Sequence, residues 1–312
     1  MADTAPDETD EALLARVAWL YYNDGLTQSE VGEILNLSRI KVSRLLDVGR
    51  TSGFIQLRIN SRQQGCLALE SRMKQQFGLS DCRVIPESTV EDANMRIGQA
   101  AAQYLMQKLA PGDSLSVGWG ETITHSVRML GYTAKERGIG LYALTGGVQT
   151  YVEGMREANW HKNVNIIPAP LVVSTPELAK ALMQEPSVAS LMTKALEAEY
   201  KLVGIGGVSE GATVFKQDYL SPGDIDPLRR GGARGDILCR FFDRNGQDIA
   251  LPLHDRVVGV DLTQLRASDK VIGAAGGPTK TTPILAALRG NILDILITDE
   301  PTALALLDAA EG

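Results

Sequence analysis

Beyond residue 82, short apolar runs alternate with longer amphipathic stretches, and this alternation constrains the chain more than any other feature. Runs at 84–85, 114–117, 141–144, 164–167, 202–205, 271–274 and 292–297 have strand length, and several stop at glycine. Between them, residues 95–109, 177–184, 188–200 and 283–288 carry helical patterns. Strands that alternate with helices build a largely parallel sheet with helices on its faces, and ligands of such sheets gather beyond the C-terminal strand ends. The expected class is α/β.

The first eighty residues follow another plan. Residues 11–24 place Leu13, Leu14, Val17, Leu20 and Tyr21 at spacings of three and four and stop at Gly25, which predicts a helix. Thr27 with Glu30 three residues on is a capping box for a second helix, with Val31, Ile34 and Leu35 on its buried face. After an Asn36-Leu37 turn, Ser38 caps a third helix in which Ile40, Val42, Leu45 and Leu46 turn inward while Arg39, Lys41, Ser43 and Arg44 stay outward. These are helix-turn-helix proportions, with the third helix placed to enter a DNA major groove by its N-terminal end. Thr27, Gln28, Ser38, Arg39, Lys41, Ser43 and Arg44 are the candidate DNA contacts. Arginine grips guanine O6 and N7 with two hydrogen bonds, and lysine or serine reaches bases or phosphates. Residues 54–59 alternate as a strand, a wing that sets Arg58 or Arg62 near a phosphate.

The net charge of −7 would oppose a nucleic-acid partner only if it were evenly spread. Residues 1–36 hold eight acids and one base, Arg16, whereas residues 37–64 hold six bases against Asp47 alone. A local basic patch beside a larger acidic body suits a DNA reader joined to a sensing domain. The expected domains are 1–60 for DNA binding, 61–78 as a linker helix and 79–312 for effector binding and oligomerisation. In the linker, Cys66, Leu69, Met73 and Phe77 form one stripe that either joins subunits or packs on its own domain. The longest apolar run, 166–173, contains Pro168 and Pro170 and is far shorter than the roughly 20 residues of a membrane span. The acidic start is unlike a signal peptide, and three scattered cysteines, Cys66, Cys82 and Cys239, suit a reducing cytoplasm.

Three loops are candidate ligand contacts. Gly118-Trp119-Gly120-Glu121-Thr122 lies between a strand and a helix, where glycines let backbone amides approach an anion and the helix end favours phosphate. It is equally the pattern of a tight turn that binds nothing. Ile123 replaces the third glycine of a dinucleotide fingerprint, and Thr145-Gly146-Gly147 ends the next strand without the acid that would hold a ribose, which argues against NAD. Gly276-Gly277-Pro278-Thr279-Lys280 repeats the strand–loop–helix pattern with a lysine at the helix start, and it departs from a Walker A loop at Thr279. Asp236 opens an apolar strand running to Phe242-Asp243, where it either accepts hydrogen bonds from hydroxyls or caps a turn. Thr213 is a weaker hydroxyl partner, and Asn165 orients a loop. His125, His161 and His254 form no triad or metal pattern, so no catalytic residue, metal or cofactor is expected.

The stretch GLTQSEVGEILNLSRIKVSRLLDVGRTSGFI, followed in order by GWGETI, LTGGV, VNIIPAP, VGIGG, GDILCRFFD and AGGPTK, resembles the SorC family of bacterial sugar-operon regulators over nearly the whole chain. The resemblance implies a Rossmann-like effector domain of the phosphosugar-isomerase type and a homodimer or homotetramer that binds operator DNA as a repressor. It also implies a phosphorylated sugar or sugar-like effector on Gly118, Gly120, Glu121, Thr122, Thr145, Gly146, Gly147, Thr213, Asp236, Leu238, Gly276, Gly277 and Lys280. Members that respond to phosphorylated autoinducer-2 share the texture of VNIIPAPL and GDILxxFFD, which makes that compound one candidate beside pentose, hexose and alditol phosphates. A phosphosugar isomerase with Asp236 as base is the enzymatic alternative, and it leaves the helix-turn-helix without a purpose.

Overall fold

Thr27 starts the second helix as its spacing predicts. Its hydroxyl accepts from the Glu30 amide at 3.3 Å, while the Glu30 carboxylate accepts from the Thr27 amide at 2.7 Å. The computed structural model describes residues 8–51, 55, 63–87, 92–148, 151, 163–209, 212–216, 220, 223 and 225–311. The expected wing falls outside these residues except for Ile55. The chain divides into two units, Met1–Ser61 and Arg62–Gly312.

In the first unit, α1 (Glu8–Ala18) runs into a π-helical turn (Trp19–Asn23), followed by α2 (Gln28–Leu35) and α3 (Arg39–Thr51). Asn36 takes the left-handed conformation at φ 55° that ends α2, a position that asparagine tolerates well. Val17, Val31, Val42 and Leu46 close a small core, against which Leu20, Tyr21, Leu35, Leu37, Leu45 and Ile55 pack. Two expected core residues are not in it. Ile34 is 59% exposed and Ile40 is 68% exposed. Ile40 sits two positions before Val42, about 200° round the helix, so both cannot face the same core.

The second unit opens with α4 (Gln63–Phe77) and β1 (Asp81–Ile85), and continues with α5 (Ala93–Lys108), β2 (Ser114–Val117), α6 (Glu121–Arg137), β3 (Gly140–Ala143) and β4 (Val164–Asn165). Then come α7 (Pro176–Gln184), α8 (Pro186–Glu197), β5 (Tyr200–Val203), α9 (Thr213–Lys216) and α10 (Ile225–Arg230). The unit ends with β6 (Gly235–Ile237), β7 (Arg240–Phe242), α11 (Leu262–Arg266), β8 (Val271–Ala274), α12 (Thr281–Arg289), β9 (Ile295–Asp299) and α13 (Glu300–Glu311). Seven strands form one sheet in the order β1-β9-β8-β5-β2-β3-β4, every pair parallel. From β2 the chain steps outward through β3 and β4, then returns to β5 on the other side of β2. That reversal of order opens a crevice beyond the C-terminal ends of β2 and β5.

Burial follows position in the sheet. All residues of β5, β8 and β9 are buried, as for strands covered on both faces, while β1 and β3 alternate. The stripe of α4 faces inward: Cys66, Leu69 and Met73 are buried and Phe77 packs beside them in the core of this unit. The alternative in which the stripe joins subunits is therefore not what the structure shows. All three cysteines are buried and free. No helix among the described residues is long and apolar enough to cross a membrane.

Candidate effector site and nucleic-acid interface

A cavity of about 210 Å³ lies beyond β2, β5 and β8, lined by the loops that follow these three strands. After β2, Gly120 adopts φ 123° and ψ 164° to start α6, a conformation that only glycine takes without strain. Glu121, Thr122 and Ile123 then open a helix of 17 residues, whose first amides have no intrahelical partner and whose positive end faces the cavity. The Thr122 hydroxyl donates to Asn94 Oδ1 at 3.1 Å, and Asn94 Nδ2 donates to Glu121 Oε2 at 3.0 Å. Asn94 thereby holds the Glu121 carboxylate beside the helix end.

Beyond β8, Ala275 leads into Gly276 and Gly277. A Cβ on Gly276 would stand 2.6 Å from Ile97 Cδ1, and Gly277 turns at φ 101° while donating its amide to Thr302 Oγ1 at 2.8 Å. Lys280 stands at the N-cap position of α12 without a capping bond and donates from Nζ to the Ile205 carbonyl at 2.8 Å, which points its ammonium at the loop after β5. Asp236 comes from the small hairpin. The expected single strand 235–243 is in fact β6 and β7 paired antiparallel, because Leu238 (φ 57°) and Cys239 (φ 64°) both turn left-handed between them. Two such residues in succession match a type I′ hairpin turn, which usually uses asparagine and glycine. The turn sends Leu238 into the cavity wall and lets the Cys239 amide donate to Asp236 Oδ2 at 3.3 Å. Burial raises the Asp236 carboxyl to about 6, although Lys280 and the Cys239 amide both favour its charged form.

Gly120, Glu121, Thr122, Thr213, Asp236, Leu238, Gly276, Gly277 and Lys280 therefore line one cavity. Gly118 stands behind it, because a Cβ there would meet Leu238 Cδ2 at 2.8 Å. The expectation for Thr145, Gly146 and Gly147 needs correction, since none of them lines this cavity. Thr145 is fully buried, with its hydroxyl 2.9 Å from that of Tyr151. Gly146 is glycine for packing: a Cβ would lie 2.4 Å from the Pro170 carbonyl oxygen. Trp119 lines the cavity as part of its expected loop, while Asn94, Gly204 and Gly206 line it without having been expected there. The VGIGG motif contained a signal for Gly204 and Gly206, glycines that follow an apolar strand. Asn94 had none, because its role arises where the start of α5 meets the start of α6.

His254 serves packing. Its Nε2 accepts from the Phe241 amide at 2.8 Å, and burial beside Arg240 pushes its pKa down to about 4, so the ring is neutral. Asn165 donates to the carbonyls of Leu141 and Asn163, as a loop-orienting residue would. In the first unit, Ser38 Oγ accepts from the Lys41 amide at 3.2 Å, and Arg39, Lys41 and Arg44 are exposed along α3 while Ser43 is half-buried. The Thr27 hydroxyl is taken up by its capping box, and Gln28 stands half-buried at the first position of α2.

Residues 61–308 match the family model described as "Putative sugar-binding domain". Transcriptional regulator LsrR of Enterobacter sp. (strain 638) is 43% identical over 305 residues, 97% of this chain and 94% of that one. The chain belongs to the SorC family of transcriptional regulators. LsrR of Escherichia coli (strain K12) is 40% identical over 301 residues, 96% of this chain and 95% of that protein. The full-length sorbitol operon regulator SorC from Klebsiella pneumoniae superposes with a TM-score of 0.70 at 26% identity, covering 97% of this chain and all of that one. A transcriptional regulator from Streptococcus pneumoniae TIGR4 gives 0.69 at 25% identity over 81% of this chain and 100% of its own. As a SorC-family member the chain is a DNA-binding regulator with a sugar-binding domain. The isomerase alternative finds no support among these relatives.

Proposed function

We propose that this chain represses a carbohydrate-related operon and releases it when a phosphorylated sugar or sugar-like metabolite fills the cavity of the second unit. One observation carries the reading: the amide-lined start of α6, the Lys280 ammonium and the buried Asp236 carboxylate converge on one cavity at the reversal point of the sheet. An anion there gains the positive helix end and the lysine, while a carboxylate is an acceptor for hydroxyls only. A guest that carries a phosphate for the helix end and Lys280 and hydroxyls for Asp236 satisfies these groups together. Phosphorylated autoinducer-2 and the pentose, hexose and alditol phosphates all meet that description.

The DNA end of this reading is α3 in the major groove, with Arg39, Lys41, Ser43 and Arg44 at bases and phosphates and α2 contributing Thr27 and Gln28. The domains are residues 1–60 for DNA and 79–312 for the effector, with the linker helix of 61–78 packed into the core of the effector domain, and the regulator works in the cytoplasm as a homodimer or homotetramer on paired half-sites. The effector acts by binding one subunit arrangement better than another, since equal affinity for both shifts nothing. Lys280→Ala tests the phosphate assignment. Calorimetric titration with each candidate and its unphosphorylated analogue should show a much larger loss of affinity for the phosphorylated one. Equal losses for the two would remove the role of Lys280 and with it the polarity of the site.

A further inference from the structure

Two apolar side chains of α3 stay out of the core, Val48 at 53% exposed towards its C-terminal end and Ile40, the more exposed, at the N-terminal end that a recognition helix presents. Ile40 is 68% exposed, although it lies between Arg39 and Lys41, and the buried residues of the same helix are Val42 and Leu46. At about 100° per residue, Ile40 and Arg44 stand one turn apart on the ridge opposite that buried face, flanked by Lys41 on one side and Ser43 on the other. Among the described residues of its unit, this apolar branched side chain at the crest of a basic helix is not packed into the core. In a DNA major groove it has a partner, because the C5-methyl of thymine is the only apolar group that the base edges present there.

We infer that Ile40 is a specificity-determining residue that reads a thymine methyl, paired with Arg44 reading a guanine. The inference rests on α3 being the recognition helix. Its geometry sets the spacing of the two bases. One helical turn advances about 5.4 Å, and successive bases on a strand are about 3.4 Å apart, so the thymine lies one to two steps from the guanine. A single methyl removed from water corresponds to about a fourfold change in affinity. The competing partner for an exposed isoleucine is a second copy of the chain, which would make its contribution independent of sequence.

The full-length regulator would first be used to select sites from a random duplex library. Each thymine in the selected site is then replaced by deoxyuridine, which lacks only the methyl, and each guanine by 7-deazaguanine, which lacks N7. The wild-type protein should lose about fourfold at one thymine, one to two steps from a guanine that is sensitive to deazaguanine. Ile40→Ala should bind thymine and uracil sites equally at that position, and Arg44→Ala should lose its sensitivity at the guanine. Unaltered thymine preference in Ile40→Ala, or a loss that is uniform over all sequences, would overturn the role of Ile40 while leaving α3 in the groove. Unaltered guanine sensitivity in Arg44→Ala would overturn both. Circular dichroism melting separates these outcomes from misfolding, since truncating an exposed side chain should leave the melting temperature unchanged.

Discussion

Replacing Asp236 by asparagine would separate what this carboxylate costs the fold from what it gives the ligand. Burial moves its pKa from 3.8 to about 6, with Lys280 and the Cys239 amide pulling the other way. A folded pKa above the unfolded one means that the native state holds the extra proton between those values. Stability therefore declines as pH rises from about 4 to about 6, and the full penalty stands at pH 7. A shift of about 2 pH units corresponds to about 3 kcal/mol. Asparagine keeps a carbonyl oxygen for the Cys239 amide and carries no charge to desolvate. The ligand-free Asp236→Asn protein should therefore gain about 3 kcal/mol at pH 7.5, roughly 6–12 °C in melting temperature, and only about 1 kcal/mol at pH 4.5. Urea denaturation across a pH series reads the difference, and titration calorimetry on the same protein should show effector binding lost. A gain of equal size at both pH values, or a loss at pH 7.5, would refute the idea that a charged carboxylate is held here against its burial.

Three further outcomes follow from the same geometry. Arg39→Ala or Arg44→Ala should weaken operator binding by about 1–3 kcal/mol and relax preference at one base pair, read by gel shift against single-base variants; unchanged affinity in both would remove α3 from the groove. Leu46→Ala empties a site that is 1% exposed in the small core of the first unit, so it should cost about 3 kcal/mol and abolish DNA binding while the second unit still binds effector. Gly206→Ala would place its Cβ 1.8 Å from Asp236 Oδ1, and calorimetry should find effector binding lost with DNA binding kept; normal effector affinity would mean that Asp236 is free to move aside.

The parts of the fold that were legible in the sequence are those where one local pattern has one solution. The fully buried strand β8 reads as a short run without a polar side chain, and the Thr27 capping box is a local pair of hydrogen bonds fixed by a spacing of three. The linker helix expected over 61–78 is α4 at Gln63–Phe77, where the stripe of Cys66, Leu69, Met73 and Phe77 is a local periodicity. Legibility failed where a pattern had two solutions. Thr145-Gly146-Gly147 has the glycines of an anion loop, but its close packing on Pro170 is a contact between distant segments. The run 235–243 is apolar enough for one strand, and only the left-handed turn at Leu238 and Cys239 divides it.

The sequence by itself determined the alternation of strands and helices, the helix-turn-helix spacing and the family, because these depend on residues near one another along the chain and on their order. Tertiary structure alone decided which loops meet. Strand order places the ends of β2, β5 and β8 side by side, so that Gly120, Asp236 and Lys280, separated by up to 160 positions, share one cavity while Thr145 stands outside it. It also decided that Ile40 faces solvent, since a helix of this size has one buried face and Val42 with Leu46 already fill it. Pattern fixes what each segment is, and packing fixes which side chains are left over to do chemistry.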